Sequence, residues 1–196
     1  CDVGANVACK PINLYQYAVM ASIQSRELLG IENPRVGLMS IGSEAAKGNE
    51  LVKATRELMK DDPNLQFIGN VESRDLFSGV CDVLICDGFV GNVVLKLMEG
   101  MATSVLKAII SEMMTVMPDQ MIPLKKAAGS IVSKYDFNEY GGAPLLGVNG
   151  ICVICHGASN FHGIKNAIHV TLDLAKHHVN KTIVNLLSQC QGTVHG

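Results

Sequence analysis

The chain has no tryptophan, and with five Phe and four Tyr its aromatic content is only 5%. An excess of one charge is missing as well, since sixteen Lys and Arg against eighteen Asp and Glu leave a net charge of −2. No basic run is interleaved with aromatics, so both electrostatics and stacking argue against nucleic acid as the main partner. No apolar run is long enough to span a bilayer. Several catalytic signatures are absent. There is no Gly-x-Gly-x-x-Gly dinucleotide fingerprint, and no Gly-Lys-Ser/Thr ending of a P-loop. A Gly-x-Ser-x-Gly elbow, a His-Glu-x-x-His and a paired-cysteine zinc signature are also lacking, which sets aside a covalent serine mechanism and a structural metal. No internal repeat or low-complexity linker divides the 196 residues, so a single α/β domain over 1–196 is expected.

What is present is apolar. Hydrophobic residues make up 48% of the chain and charged ones 17%, the balance of a globular protein with a real core. Seven cysteines suit either a disulfide scaffold or a reducing compartment, and their placement favours the second. Cys81 and Cys86 bracket one apolar, strand-like run, and Cys152 and Cys155 another. Residues three or five apart on a strand point to opposite faces. The Cys152 and Cys155 pair is therefore expected to be neither a zinc half-site nor a redox pair, and the thiols read as free and buried. Cys1 and the run Asp2-Val3-Gly4-Ala5-Asn6 read as the end of a strand, so a piece of a longer chain is expected.

Residues 11–29 have helical spacing, with Pro11 suited to a first turn and Gly30 with Asn33-Pro34 closing it. A strand at 35–41 follows, then a helix from about 49 to 60 capped by Asn49. A short strand at 67–71, a strand at 82–86 and a long helix from 92 come next. Crossovers that contain helices predict a mainly parallel, layered sheet. Residues 160–190 read as one or two helices. The segment 93–128 carries a wide apolar stripe that includes Val94, Leu97, Met98, Met101, Val105, Ile109 and Met113. It is either a core or subunit-interface helix, or a Met-rich element that lies on a membrane or takes up an acyl chain.

Three loops follow apolar, strand-like runs, at Ile41-Gly42-Ser43, at Cys86-Asp87-Gly88 and at Cys155-His156-Gly157. Open α/β sheets bind ligands where their strands end, and a helix N-terminus there favours an anion. Lys47, beside Gly48 and before the Asn49 cap, is an anion ligand or a solvated surface charge. Asn92, after Gly88 and Gly91, is an N-cap or a donor to a developing oxyanion. His156 acts as a general acid, binds phosphate or caps a loop, and Ser159 and Asn160 are helix starters as well as polar groups. Gly141 and Gly142 belong to a loop that closes over an apolar substrate, or to a turn packed against the sheet.

Read together, these stretches resemble the phosphate acyltransferase family of bacterial phospholipid synthesis. The resemblance rests on Asp2-Val3-Gly4-Ala5-Asn6, Lys47-Gly48-Asn49-Glu50, Phe67-Ile68-Gly69-Asn70-Val71-Glu72, Cys86-Asp87-Gly88-Phe89, Gly91-Asn92-Val93-Val94, Glu139-Tyr140-Gly141-Gly142-Ala143-Pro144 and His156-Gly157, in order along the chain. Ala8, Val90 and Ala158 depart from residues common in the family, and the chain resembles the C-terminal part of a member. The resemblance implies a three-layer α/β/α fold similar to phosphotransacetylases and isocitrate-dehydrogenase-like enzymes, with 93–128 as a projecting amphipathic segment. It implies transfer of a fatty acyl group from acyl carrier protein to inorganic phosphate, without a cofactor or metal. A cytoplasmic homodimer held peripherally on the inner face of the cell membrane is also implied. Lys47 and Asn92 fall on the family's functional Lys and Asn and are the expected catalytic residues. Gly48, Asn49, Asp87, Gly88, Gly91, Gly141, Gly142, His156, Ser159 and Asn160 are the expected substrate-binding set. Two alternatives are a phosphotransacetylase-like enzyme that uses acyl-CoA, and an inactive membrane- or carrier-protein-binding fragment.

Overall fold

Helix α1 (Pro11–Leu29) begins where Pro11, which has no N–H to satisfy, occupies the first turn, and ends at Gly30 in the left-handed region, φ 69°. These are the bounds that the sequence predicts. The computed structural model describes residues 1–134 and 136–191; the side chain of Cys190 lies outside the described ones. Two compact units divide the chain. The first comprises Cys1–Asn92, Leu145–Cys152 and the segment from Asp173, and the second Val93–Pro144 and Val153–Leu172.

The first unit is built on three parallel strands, β1 (Arg35–Ser40), β2 (Gln66–Glu72) and β3 (Val83–Ile85), in the order β2-β1-β3. Leu38 on the central strand pairs with Asn70 on one side and Ile85 on the other. Val36, Gly37 and Leu38 are buried in succession, the pattern of a strand covered on both faces. The β1–β2 register slips after Val36, where Gly69, at φ 97°, takes the place opposite Gly37 and leaves Ile68 as an extra residue. Helix α2 (Glu50–Met59) forms the crossover between β1 and β2. Asn49 caps it, as expected, by accepting the Val52 N–H at 2.9 Å. Helix α1 packs on α2, on β3 and on α7 (Val179–Gln191). Leu14, Val19 and Ile23 of α1, Val36, Leu38 and Ile85 of the sheet, Met59 of α2, and Val179 of α7 are all nearly inaccessible. Each such burial is worth about 1.5–3 kcal/mol before conformational entropy is subtracted.

An ion pair ties the entries of β1 and β3. The Arg35 guanidinium donates through Nε and Nη2 to the two Asp82 carboxylate oxygens at 3.0 and 2.9 Å, and the Arg35 backbone N–H adds a third bond at 2.8 Å. These donors hold the Asp82 carboxyl at a pKa of about 2.

Helix α3 (Gly88–Val116) starts in the first unit and continues into the second. There Val93, Leu97, Met101, Val105 and Ile109 form a stripe between 49% and 60% exposed, so this face is not core. Among the described residues no helix is long and apolar enough to cross a membrane. After a 3-10 turn at Pro118–Gln120 come α4 (Met121–Lys134), α5 (Phe137–Tyr140), β4 (Ala143–Pro144), β5 (Val153–Ile154) and α6 (Phe161–Lys176). Asn160 caps α6 by accepting the N–H groups of His162 and Gly163 at 2.9 and 3.1 Å.

Three expectations are corrected. The strand before His156 is not part of the parallel sheet. It reduces to β5, which pairs antiparallel with β4 in a separate two-stranded sheet. The connection between the two strands is too short for the helical crossover that parallel pairing requires. The long helix starts at Gly88, not at 92. The described cysteines are free, but Cys86 alone among them is buried, while Cys1 and Cys152 are exposed. The strands β3 and β5 stop short of Cys81, Cys152 and Cys155, which therefore flank strands and do not line them.

The Arg35–Asp82 pair makes a pH prediction. The folded carboxyl titrates below the unfolded value of about 4, so its contribution is complete above that value and is lost as pH falls through about 2. Urea midpoints of the parent and of Asp82→Asn should differ at neutral pH and converge between pH 4 and 2.

Candidate functional site

Two loops leave the C-terminal ends of the adjacent strands β1 and β3, the edge at which open α/β sheets hold their ligands. After β3, the Asp87 carboxylate accepts the Val90 N–H at 2.8 Å and the Asp87 carbonyl accepts the Gly91 N–H at 3.0 Å. Asp87 is therefore the N-cap of α3. Asn92 stands on the second turn, with an exposed side chain, and the N-cap reading of it is corrected. Asp and Asn are equally good caps. The upstream acid takes the role because the chain turns helical directly after it.

Gly88 and Gly91 do not form the turn that their spacing suggests. They lie within α3 and leave room for another segment. The buried Asp2 carboxylate folds residues 2–6 into a tight turn by accepting the N–H groups of Gly4, Ala5 and Asn6 at 2.9, 2.9 and 2.7 Å. That turn lies against α3, and the Asn6 carbonyl accepts the Gly88 N–H at 2.9 Å. A Cβ at Gly91 would stand 1.8 Å from the Asp2 carbonyl oxygen, and one at Gly88 would stand 2.8 Å from the Asn6 carbonyl oxygen. Gly4 faces Asn92, whose Cβ and Oδ1 are 3.7 Å from the position a Gly4 Cβ would take. The Gly88 and Val90 N–H groups are thus already engaged, which removes two donors from the expected row of free N–H groups at this helix end. The side-chain amide of Asn92 stands beside the turn. Burial pushes the Cys86 thiol up, and its Sγ faces the Asp2 carbonyl at 3.5 Å. It is a structural thiol and not a thiolate nucleophile at neutral pH.

After β1 the chain runs through an irregular loop, 41–49. Gly42 is buried, and a Cβ there would lie 2.8 Å from both Lys47 Cγ and Glu44 Oε2, so the missing side chain lets the Lys47 stem cross the loop. Lys47 is exposed and forms no ion pair among the described residues. Gly48 takes φ 103° and hands the chain to the Asn49 cap. This is an uncompensated cation at a helix N-terminus, suited to an anion.

Lys47, Gly48, Asn49, Asp87, Gly88, Gly91 and Asn92 belong to the first unit, and Gly141, Gly142, His156, Ser159 and Asn160 to the second. Within the second unit, Gly141 is a packed turn. It is buried at φ 78°, and a Cβ there would stand 2.3 Å from the Ala167 backbone nitrogen of α6. The exposed His156 accepts the Ala158 N–H through Nδ1 at 3.2 Å. The Ser159 hydroxyl is buried and has no partner among the described residues. Asn138 joins these pieces, since its Oδ1 accepts the Asn160 N–H at 3.1 Å and its carbonyl accepts Asn166 Nδ2 at 2.9 Å. Sequence reasoning gave no role to Asp2 or Asn138. The Asp-x-Gly spacing of an Asx turn was the available signal for Asp2.

A family model described as fatty acid synthesis protein matches residues 1–182. The chain belongs to this family. Relatives include a phosphate acyltransferase of Halothermothrix orenii, 50% identical over 194 residues, which covers 96% of this chain and 56% of the relative. Phosphate acyltransferases of Geobacter sulfurreducens (46% over 184 residues; 93% and 53% covered) and Campylobacter jejuni (46% over 190 residues; 96% and 57%) are also similar. The chain spans about half the length of the curated relatives it matches. Both strand-end loops and the Asp2 turn lie inside the range shared with the family.

The close approach at Gly91 gives a contrast between two glycines of one helix. Gly91→Ala should destabilise by about 1–3 kcal/mol or more, because a backbone carbonyl must move. Gly100→Ala, exposed and with no atom within 4 Å, should stabilise by about 0.5–1 kcal/mol. Urea unfolding of both variants checks the pair.

Proposed function

We propose that this chain carries the phosphate- and thioester-handling part of an acyltransferase that moves a fatty acyl group from acyl carrier protein to inorganic phosphate, giving acyl phosphate for phospholipid synthesis. The observation that carries this reading is the pair Lys47, on the loop after β1, and Asn92, on the helix after the adjacent parallel strand β3, in a chain whose relatives are named phosphate acyltransferases. A phosphate oxygen attacks the thioester carbon and forms a C–O bond while the carbonyl electrons move to oxygen. The tetrahedral oxyanion then collapses, the C–S bond breaks, and the thiolate leaves with its electron pair. Lys47 holds and orients phosphate, removing the entropy cost of the encounter. The Asn92 amide donates to the oxyanion. Asp87 sets where Asn92 stands by starting α3; a substrate-binding role for His156, Ser159, Asn160, Gly141 and Gly142 of the second unit is part of the same proposal.

The same proposal takes 1–196 as one three-layer α/β/α domain of the phosphotransacetylase and isocitrate-dehydrogenase kind, acting as a cytoplasmic homodimer. It places 93–128 on the inner face of the cell membrane. The half-exposed stripe of α3 supports that last part, and a net charge of −2 assigns adhesion to apolar area more than to attraction by anionic lipid.

Lys47→Ala and Asn92→Ala, made in the chain as its gene encodes it, should each lower acyl phosphate formation from the carrier-protein thioester by about 100- to 1000-fold. Turnover near the parent level in both variants would reject the assignment. A parallel assay with acyl-CoA decides the donor, and a preference for CoA would move the enzyme to the phosphotransacetylase-like class.

A further inference from the structure

We infer that Asn70 is a positioning residue that holds the Lys47 loop, and through it sets the affinity of the site for inorganic phosphate. The inference rests on the reading of Lys47 as the phosphate ligand. Asn70 comes from Phe67-Ile68-Gly69-Asn70-Val71-Glu72, a stretch within the range matched by the family, to which the mechanism above gives no role. Three observations converge on it.

The first is its aim. The register slip, with Ile68 as the extra residue, resets the faces of everything after it on β2, so that Asn70 stands opposite Leu38, and Asn70 is buried, as is Val71 on the other face. Bulges of this kind re-aim a side chain and recur beside active sites. The second is its bonding. Asn70 is 8% exposed, and its Nδ2 donates to the Glu44 carbonyl at 2.9 Å and to the carbonyl of Lys47 itself at 3.4 Å. Among the described residues no other side chain bonds to the backbone of 41–48, whose remaining internal tie is the Lys47 N–H to the Glu44 carbonyl at 3.0 Å. The third is what the arrangement sacrifices. Asn70 Oδ1 is buried and unpartnered, as is the nearby loop-side hydroxyl of Ser40, which a Cβ on Gly48 would approach to 3.0 Å. A buried carbonyl without a donor is unfavourable, and an apolar residue on β2 would avoid it. Such a residue would leave the Lys47 carbonyl without its donor and the Glu44 carbonyl with the Lys47 N–H alone. The asparagine therefore serves the loop more than the sheet.

The test uses Asn70→Ala, Lys47→Ala and the double variant in the chain as its gene encodes it, with inorganic phosphate and acyl thioester varied separately. In Asn70→Ala the KM for phosphate should rise by about 10- to 100-fold, the scale of a misplaced positioning group, with the KM for thioester unchanged. In the Lys47→Ala background Asn70→Ala should add no further rise, because the two act on phosphate as one unit. A purely structural asparagine would instead lower stability and the active fraction, leave both KM values unchanged, and add its penalty to that of Lys47→Ala. Either result would overturn the inference while the Lys47 reading stands. If Lys47→Ala itself leaves the phosphate KM unchanged, the reading of Lys47 falls and this inference with it. Should Asn70→Ala not fold, Asn70→Ser keeps a hydroxyl donor in a smaller volume, and its phosphate KM decides the question in the same way.

Discussion

Gly88 and Gly91 leave the first turns of α3 without side chains on one face, and a backbone turn folded around the Asp2 carboxylate fills that space. Much of the candidate site depends on this approach. It brings Gly4 against Asn92, engages the Gly88 N–H and sets the distance between residues 2–6 and the end of β3. A glycine inside a helix lowers its stability by roughly 0.5–1 kcal/mol relative to alanine. Two in one helical start are intelligible once the Asp2 carbonyl is seen where a Gly91 side chain would be. Asp87 completes the arrangement by fixing the residue at which the helix begins, and so the position of everything after it.

The two candidate donors are held by opposite means. Asn92 sits on a regular helix whose cap and close contacts fix its backbone. Lys47 sits on a loop that lacks a ladder, and its surroundings come from elsewhere: the empty side-chain position at Gly42, the left-handed Gly48, the Asn49 cap of α2 and the buried amide of β2. Rigid strands with mobile chemistry at their ends are the usual division of labour in open α/β sheets. Here the loop is moored from beneath by the adjacent strand.

The parts of the fold that were legible in the sequence are those fixed by local chemistry. The limits of α1 follow from Pro11 and Gly30, and the start of α2 from Asn49, because caps act over a few residues. The parallel pairing of β1 with β2 followed from a crossover long enough to hold a helix. Where two local signals competed the sequence did not decide between them. Asp87 and Asn92 both suit an N-cap, and only the folded chain shows the acid in that place. The pairing of β5 with β4 depended on how short a connection remained once the β4 strand was located. The Asp-x-Gly spacing signalled the turn at Asp2, but the seat of that turn against α3 and the use of Asn70 were not visible. Each is defined by a neighbour far along the chain, and that of Asn70 by a one-residue slip in register that no propensity encodes.

The approach of the 2–6 turn to α3 joins positions 84 residues apart, as the Cys86 and Asp2 contact illustrates. The turn itself is local and needs only its own carboxylate, so it is available as soon as residues 2–6 exist. Its seat is not. Loop-closure entropy delays contacts of such long range, and on a ribosome β3 and the opening of α3 must first clear the exit tunnel. The amide proposed to meet the thioester therefore acquires its surroundings only after the sheet beneath the Lys47 loop has been laid down.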